Sequence, residues 1–133
     1  MDLGLRDRVA IVGGSSRGIG RAIALAFAQE GASVTICART EADLRRTEIE
    51  LARIGSQHHV LAIPADLSLA RDIRRVVRDT INRFGQVGIM VTHVGFGPAG
   101  RPSEFSDETI MEAMEHNFLS AIRLTREVTP YMK

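Results

Sequence analysis

The sequence has one cysteine, no tryptophan and no long apolar run. Cys37 has no partner for an internal disulfide, and its place in the apolar run SVTICA favours a small buried side chain over a reactive thiol. No stretch approaches the roughly 18 apolar residues of a membrane span, and the opening MDLGLRDRVA lacks an apolar signal core and a small-residue cleavage site. We therefore expect a cytoplasmic protein without a membrane partner.

A dominant charge is also lacking. The 17 basic residues are balanced by 16 acidic ones, so no overall field would draw the chain to nucleic acid. Several arginines cluster between residues 71 and 83, where they lie opposite the apolar face of a predicted helix. This arrangement is typical of a solvated helix surface. We expect no nucleic-acid partner.

Motifs for metal binding and nucleophilic catalysis are missing as well. His58 and His59 are adjacent at a predicted strand entrance, where their side chains point to opposite faces, and His116 is distant in sequence. No cysteine or acid completes a metal-binding spacing, and no Gly-x-Ser-x-Gly elbow is present. We expect no metal site and no serine nucleophile.

The chain does contain an alternation of strand-like and helix-like segments. Short runs rich in β-branched residues occupy 8–12, 33–38, 59–63 and 88–92. Apolar strands separated by helical segments indicate a parallel sheet that is covered on both faces. At 133 residues, of which 44% are hydrophobic, the chain is predicted to form one α/β domain, a Rossmann-type doubly wound parallel sheet.

Helical spacing and cap residues predict four helices. The first ends at a glycine cap, Gly31, and has its apolar positions at Ile19, Ala22, Ile23, Ala26 and Phe27. The second begins at Thr40, with capping-box spacing to Asp43, stops at Gly55 and has an inner face of Leu44, Thr47, Leu51 and Ile54.

The third predicted helix is capped by Ser68, ends at Gly85 and has an inner face of Ile73, Val76, Val77, Ile81 and Phe84. The fourth begins near Ser106, with Asp107 and Glu108 at the positive end of its dipole. It extends to the last residues, and its length allows a bend.

The stretch VGGSSRGIG, residues 12–20, follows the first predicted strand and opens the first predicted helix. Gly14, Gly18 and Gly20 follow the spacing G-x-x-x-G-x-G. In such a loop the glycines permit a tight reversal and let backbone amides approach a pyrophosphate, while the helix N-terminus attracts negative charge. Ser15 and Ser16 add hydroxyl donors. The stretch therefore predicts a phosphate-binding loop.

GGSSRGIG resembles the T-G-x-x-x-G-I-G loop of the short-chain dehydrogenase/reductase (SDR) family, with Gly13 in place of the threonine. VTICART is similar to the second strand of NADP-preferring members, PADLS to the adenine-contacting Asp-Leu pair, and HNFLSAIRLTREVTPYMK to the helix with the family's asparagine. GFGPAG and AIRLTREVTPYMK are most similar to the 3-oxoacyl-acyl-carrier-protein-reductase-like branch. Together these resemblances cover essentially the whole chain.

The resemblance implies a nicotinamide dinucleotide site. Asp66 would accept a hydrogen bond from the adenine amino group, although an aspartate in a strand-to-helix turn near Ser68 also has a structural use. Asn117 would be the catalytic asparagine, and a polar residue satisfied at a helix bend is the other interpretation. The implied cofactor-binding residues are Gly14, Ser16, Arg17, Gly18, Ile19, Gly20, Arg39, Asp66, Leu67 and Gly95.

The residues after the second predicted strand favour NADP(H) on physical grounds. NAD-binding enzymes commonly place an acid there to hold the ribose 2′-hydroxyl, whereas this sequence has Ala38, Arg39 and Thr40. Arg39 offers a planar fork to a 2′-phosphate, and Arg17 adds a second positive charge, each such hydrogen bond being worth about 1.5 to 3 kcal/mol. The alternative is that both arginines are only solvated.

The reaction centre of the family is missing from these residues. The family uses a serine and a tyrosine four residues before a lysine, on its fifth strand and the following helix. Here the only tyrosine, Tyr131, is followed by Met132 and Lys133, so residues 1–133 are expected to be an incomplete NAD(P)-binding Rossmann domain without the catalytic half.

A second departure from the family follows the fourth predicted strand. The family's Asn-Asn-Ala-Gly is replaced there by Thr92, His93, Val94 and Gly95. His93 is expected to fill a polar corner, because no partner carboxylate for acid–base chemistry is evident.

Two functions remain open. The first is an NADP(H)-dependent oxidoreductase of the SDR family, present here as its cofactor-binding half and inactive alone, with a small carbonyl or alcohol substrate when completed. The second is a non-catalytic dinucleotide-binding or interaction module derived from that family. We also expect a homo-oligomer, or else aggregation, through the fourth predicted strand, the last helix or both. The run 88–92 would form an apolar sheet edge without charge or proline, and the resemblance implies that the last helix packs against another subunit.

Overall fold

Four parallel strands form the centre of the structure, a computed structural model that describes residues 1–95 and 97–132. They are β1 (Val9–Gly13), β2 (Ser33–Ala38), β3 (Val60–Pro64) and β4 (Ile89–Val91), in the order β3-β2-β1-β4. Val9 to Gly13 pair with Ser33 to Cys37, and Ala10 to Val12 pair with Ile89 to Val91. The predicted parallel sheet is confirmed: β2 has the predicted bounds, β1 and β3 are shifted by one residue, and β4 is one residue shorter at each end.

Helices cover both faces of this sheet. They are α1 (Gly18–Gln29), α2 (Glu41–Ile54), α3 (Ala70–Phe84), α4 (Asp107–Met114) and α5 (Ser120–Val128). Ile11 belongs to a core shared with α3 and α5, whereas its neighbour Val12 belongs to a core shared with α1 and α2. Because successive side chains of a strand point to opposite faces, β1 is buried on both. The doubly wound α/β class is confirmed.

The buried face of α1 differs from the predicted one. The helix buries Gly20, Ala24 and Ala28, while Ile19 is 66% exposed. Of the positions that the spacing indicated, Ile23 and Phe27 are partly buried and pack against the core, whereas Ala22 and Ala26 are exposed. At Gly20 a side chain is excluded because a Cβ there would overlap the backbone of the preceding loop.

Two of the predicted helix caps are also wrong in detail. Ser68 does not cap α3, whose N-terminal flanking residue is Leu69, and its hydroxyl donates instead to Asp66 Oδ1. Thr40 does precede α2, but its side chain makes no cap hydrogen bond. The carboxylate of Asp66 competes for the Ser68 hydroxyl, which is two residues away.

The remaining predicted helix boundaries agree with the structure. Gly31 and Gly85 have positive φ angles of 84° and 76° at the ends of α1 and α3, a conformation that favours glycine. Ser106 caps α4 by accepting a hydrogen bond from the Thr109 amide at 3.2 Å. Gln57–His59 forms a 3₁₀ turn rather than the start of β3, so His59 lies outside the sheet.

The bend allowed in the fourth predicted helix is a π-helical segment, Glu115–Leu119, between α4 and α5. Its wider turn rotates the helix face that follows it, and such segments are frequent at functional sites. Lys133, to which the fourth predicted helix extends, and Phe96 of GFGPAG lie outside the described residues. Within the described ranges, no helix combines the length and apolar character that crossing a membrane requires.

Candidate cofactor site

A groove with a volume of about 410 Å³ opens at the carboxyl ends of the strands. Ligands of open α/β sheets bind at this edge, and the volume lies within the range of small-molecule sites. Of the predicted cofactor-binding residues only Gly20 lies behind the lining. The groove is lined by Gly14, Ser16, Arg17, Gly18, Ile19, Arg39, Asp66, Leu67 and Gly95, together with residues that include Thr40, His93 and His116.

At the glycines of the loop, a side chain would either overlap a neighbouring backbone atom or be strained by a positive φ angle. A Cβ on Gly14 would overlap the carbonyl oxygen of His93, and one on Gly20 would overlap the carbonyl oxygen of Gly14. Gly18 has a φ of 58° and no heavy atom within 4 Å of its would-be Cβ. The loop therefore packs tightly against β4 and α1, while its backbone at Gly18 faces open space that a phosphate group can enter.

Ser15 and Ser16 do not share the role that the sequence predicted for them. Ser15 is fully buried, and its hydroxyl donates to the Val12 carbonyl at 2.6 Å and accepts from the Cys37 amide at 3.0 Å. That hydroxyl ties the loop to β1 and β2, so the prediction that it serves as a ligand donor is wrong. Ser16 lines the groove, and its hydroxyl makes no hydrogen bond to another described residue.

Arg17 and Arg39 lie at the rim of the groove. Arg17 is the residue that precedes α1, Arg39 follows β2, and both side chains are exposed. Within the described ranges neither guanidinium makes a hydrogen bond or an ion pair, whereas Arg21, on the outer side of α1, pairs with Glu50. Uncommitted guanidinium groups are suited to charge-assisted hydrogen bonds with phosphate or carboxylate oxygens.

Asp66 is held by its own turn. Its Oδ1 accepts hydrogen bonds from the Ser68 amide at 2.9 Å and the Ser68 hydroxyl at 2.7 Å. Partial burial alone would raise the pKa of the Asp66 carboxyl, but these bonds and the positive charges of Arg39 and His116 together hold the pKa below its usual value. Oδ2 makes no hydrogen bond to the described residues, so the ionised carboxylate keeps an acceptor for a ligand.

His93 and the loop meet at the end of β4. Its Nδ1 is buried, has no hydrogen-bond partner among the described residues, and lies 3.4 Å from the would-be Cβ of Gly14. A buried polar atom without a partner costs about 1 to 3 kcal/mol, and a bound water or ligand usually satisfies such an atom. His93 therefore lies in the expected polar corner, but none of the described residues forms a hydrogen bond with its Nδ1.

Asn117, the candidate catalytic residue, does not line the cofactor groove. Its amide donates to the Ala113 carbonyl at 2.8 Å across the π-helical segment, and its side chain lines an apolar groove with Phe118 and Ile122. The adjacent His116 faces the cofactor groove instead and contributes to the electrostatics of Asp66. Sequence reasoning missed His116 because the π-helical turn, which sets the direction of both side chains, leaves no local pattern.

Thr47 is a second residue that the sequence did not single out for the site. It was predicted as part of the inner face of α2, and it is indeed buried there. Its hydroxyl, however, donates to the Ser16 carbonyl at 3.0 Å and so contacts the glycine loop between β1 and α1. The available signal was a hydroxyl in an otherwise apolar face, since a buried hydroxyl needs a partner.

Cys37 lies beneath the groove rather than in reach of a reactant. It is fully buried, and burial raises the pKa of its thiol to about 12. A protonated thiol is a poor nucleophile, so the expectation of a small buried side chain is confirmed. Among the described residues, no three His, Cys, Asp or Glu side chains are grouped to hold a metal ion.

Comparison with known proteins agrees with this geometry. The family model described as short chain dehydrogenase matches residues 8–133. L-fucose dehydrogenase from Rattus norvegicus is 34% identical over 127 residues, which are 95% of this chain and 45% of that protein. The chain spans about half the length of curated relatives such as this one.

Solved structures show the same relation. L-sorbose reductase from Gluconobacter frateurii, complexed with NADPH and L-sorbose, matches with a TM-score of 0.93 at 34% identity, over 99% of this chain and 50% of that one. A short-chain dehydrogenase/reductase from Burkholderia phymatum, in complex with NAD, matches in fold with a TM-score of 0.90 at 24% identity, over 96% and 45%. The glycine loop, the sheet order and these matches agree, and the chain belongs to the short-chain dehydrogenase family.

Proposed function

We propose that this chain is the cofactor-binding part of an NADP(H)-dependent oxidoreductase that transfers hydride between the nicotinamide and a small carbonyl or alcohol. The observation that carries the proposal is the pair of unpaired guanidinium groups, Arg17 and Arg39, at the rim of the groove. Asp66 is the one carboxylate among the residues that line the groove, and it follows β3 rather than β2. No acid after β2 would therefore repel a 2′-phosphate.

The described residues fit such a cofactor along the groove. The backbone at Gly18 and the N-terminus of α1 suit a pyrophosphate, because both offer amide hydrogens next to open space. The free Oδ2 of Asp66 suits the adenine amino group. Leu67 and Ile19 line the groove as apolar contacts.

The cofactor supplies hydride chemistry, but the protein must supply a proton donor for a carbonyl oxygen. These 133 residues contain one tyrosine, Tyr131, and it is not four residues before a lysine. Positioned general acids contribute about 10² to 10⁴-fold to rate. We therefore propose that the 133-residue chain assayed by itself does not oxidise NADPH with ketones or aldehydes at enzymatic rates; turnover that persists through purification would contradict this.

The branch of the family, the oligomeric state and the location in the cell are further parts of this proposal. The similarity of GFGPAG and AIRLTREVTPYMK to the 3-oxoacyl-acyl-carrier-protein-reductase-like branch remains a proposal about ancestry, since two of the relatives named above are an L-fucose dehydrogenase and an L-sorbose reductase. A homo-oligomeric state is supported by exposed apolar residues on α4 and α5. The balanced charge and the single buried cysteine favour a cytoplasmic location.

Titration of the chain with NADP⁺ and NAD⁺ tests the cofactor assignment. We expect tighter binding of NADP⁺ by about tenfold or more, since one charge-assisted hydrogen bond is worth about 1.5 to 3 kcal/mol. Arg39→Asp should remove or reverse the preference, because a carboxylate repels the 2′-phosphate and accepts from a 2′-hydroxyl. Arg53→Asp, on the far end of α2, is the charge-matched control. Equal affinity of the unaltered chain for both dinucleotides would refute the assignment.

A further inference from the structure

The phosphate loop is attached to α2 through one buried hydrogen bond. Thr47, which is 1% exposed, donates from its hydroxyl to the carbonyl oxygen of Ser16 at 3.0 Å. The Ser16 carbonyl and the Arg17 amide nitrogen belong to the same peptide unit. The bond therefore fixes the orientation of the peptide from which the Arg17 side chain departs.

The second arginine of the site, Arg39, lies just before the N-terminus of α2. Arg39 directly precedes Thr40, the residue at the N-terminus of α2. Thr47 lies seven residues further along, about 10 Å in an α-helix that rises about 1.5 Å per residue. Helix α2 is thus connected to the chain at both arginines: Arg39 leads into it through Thr40, and Thr47 bonds to the carbonyl that precedes Arg17.

Two further contacts fix the loop relative to the elements around it. Glu50, one turn beyond Thr47 on α2, forms an ion pair with Arg21 of α1, so α1 and α2 are joined beside the loop. Ser15, the residue before Ser16, is bonded to β1 and β2. The sheet therefore holds the Ser15 side chain, α2 holds the Ser16 carbonyl, and Arg17 follows with a side chain that bonds to no other described residue.

We propose that Thr47 is a positioning residue for cofactor specificity: its hydroxyl, acting through the Ser16 carbonyl, directs Arg17 toward the phosphate group that Arg39 also faces. The inference rests on the proposed NADP(H) function and adds to it the device that sets the preference. Charge-assisted hydrogen bonds from a guanidinium depend on direction, so the orientation of the preceding peptide changes their strength.

Three variants separate this role from simple stabilisation. Thr47→Val removes the hydroxyl while keeping the shape, Thr47→Ser keeps the hydroxyl, and Thr80→Val is the matched control. Thr80 is also a buried helical threonine, but its hydroxyl bonds to Thr35 and Val76, away from the groove. Calorimetric titrations of each 133-residue variant with NADP⁺, NAD⁺ and 2′,5′-ADP measure the effect.

We expect Thr47→Val to weaken binding of NADP⁺ and 2′,5′-ADP by about threefold to tenfold, the range that corresponds to one lost hydrogen bond. Binding of NAD⁺ should change by less than about twofold, because it has no 2′-phosphate to be misaligned. Thr47→Ser and Thr80→Val should retain the preference of the unaltered chain. If Thr47→Val does not fold, Thr47→Ala carries the same expectation, and failure of both to fold would show that the hydroxyl serves folding rather than positioning.

A double-variant cycle with Arg17→Ala tests whether Thr47 acts through Arg17. In the Arg17→Ala background, Thr47→Val should cause no further loss of NADP⁺ preference. Equal weakening of NADP⁺ and NAD⁺, or full additivity with Arg17→Ala, would overturn the inference and leave the proposed function intact. Binding of neither dinucleotide by the unaltered chain would overturn the proposed function, and the inference with it.

Discussion

At the scale of single residues, Asp66 connects the stability of the fold to its candidate site. One carboxylate oxygen is used by Ser68, and the other remains available at the groove. Its backbone amide donates to Asp72 Oδ2 at 2.8 Å, which joins the end of β3 to the first turn of α3. The same side chain therefore shapes the turn and offers an acceptor to a ligand.

We expect Asp66→Ala to lower the free energy of unfolding by about 1 kcal/mol at neutral pH, after allowance for partial exposure of the carboxylate. The folded pKa of Asp66 lies below the unfolded value of about 3.9, so its contribution is complete above that value and is lost as pH falls through the folded pKa. Urea unfolding of both proteins from neutral pH to about pH 3 should show the two stabilities converging.

Ser68→Ala provides the internal control for this prediction. It removes the hydroxyl that donates to Asp66 Oδ1 and keeps the Ser68 amide that donates to the same oxygen, so its effect should be smaller than that of Asp66→Ala and should not add fully to it. A stability difference that stays constant across the acidic range would contradict the assigned role of the carboxylate.

At the scale of secondary-structure elements, the contact between α1 and the glycine loop opposes helix propensity. Gly20 lies in the first turn of α1, where alanine would favour the helix by about 1 kcal/mol. A Cβ there would instead overlap the backbone carbonyl of Gly14, which belongs to the loop and cannot move aside without disturbing its contact with His93. Packing and propensity therefore make opposite predictions at this position.

We expect packing to dominate, so that Gly20→Ala lowers the free energy of unfolding by about 1 to 3 kcal/mol. Thermal and urea unfolding measure the change. Gly95→Ala is the matched control, since no atom lies within 4 Å of its would-be Cβ, and it should leave stability nearly unchanged. A Gly20→Ala protein as stable as the unaltered chain would contradict this, because it would show that the loop backbone shifts to accommodate the added methyl group without loss of stability.

At the scale of the whole molecule, one side exposes an apolar strip along α4, the π-helical segment and α5. Phe118 and Ile122 are 52% and 48% exposed, and they line a groove of about 520 Å³. Other exposed apolar residues of the strip are Ile110, Met111, Met114 and Tyr131. Several exposed apolar residues on neighbouring helical segments favour a protein interface. Within the described ranges, β4 pairs only with β1 and forms a sheet edge nearby.

We expect copies of the chain to associate through this strip, and Ile122→Lys to weaken the association. Ile122 is the better position for the test, because Met90 of β4 packs against the core and its replacement by lysine would also destabilise the fold. Sedimentation velocity over a range of micromolar concentrations measures the effect. Ile49→Lys, at an equally exposed isoleucine of α2, should leave association unchanged. A monomer at every concentration would contradict the prediction.

Local patterns in the sequence determined the elements, their order and the kind of site. Apolar runs and helical spacing depend on neighbouring residues alone, so β1 to β4 and α1 to α3 could be placed within a residue or two. Gly14 and Gly18 belong to a loop whose position between strand and helix is itself a sequence feature. The family was therefore predictable, and so was the position of the glycine loop between strand and helix.

Only the tertiary structure decided which polar groups meet. The bonds of Ser15 to Cys37 and of Thr47 to Ser16 join residues 22 and 31 positions apart, and no periodicity encodes such contacts. The need for glycine at position 20 in the buried face of α1 likewise depends on its distance from the loop, which apolar spacing does not encode. Hydrogen bonds and close packing depend on atomic positions to within a few tenths of an ångström, whereas hydrophobic patterning depends only on which face a residue occupies.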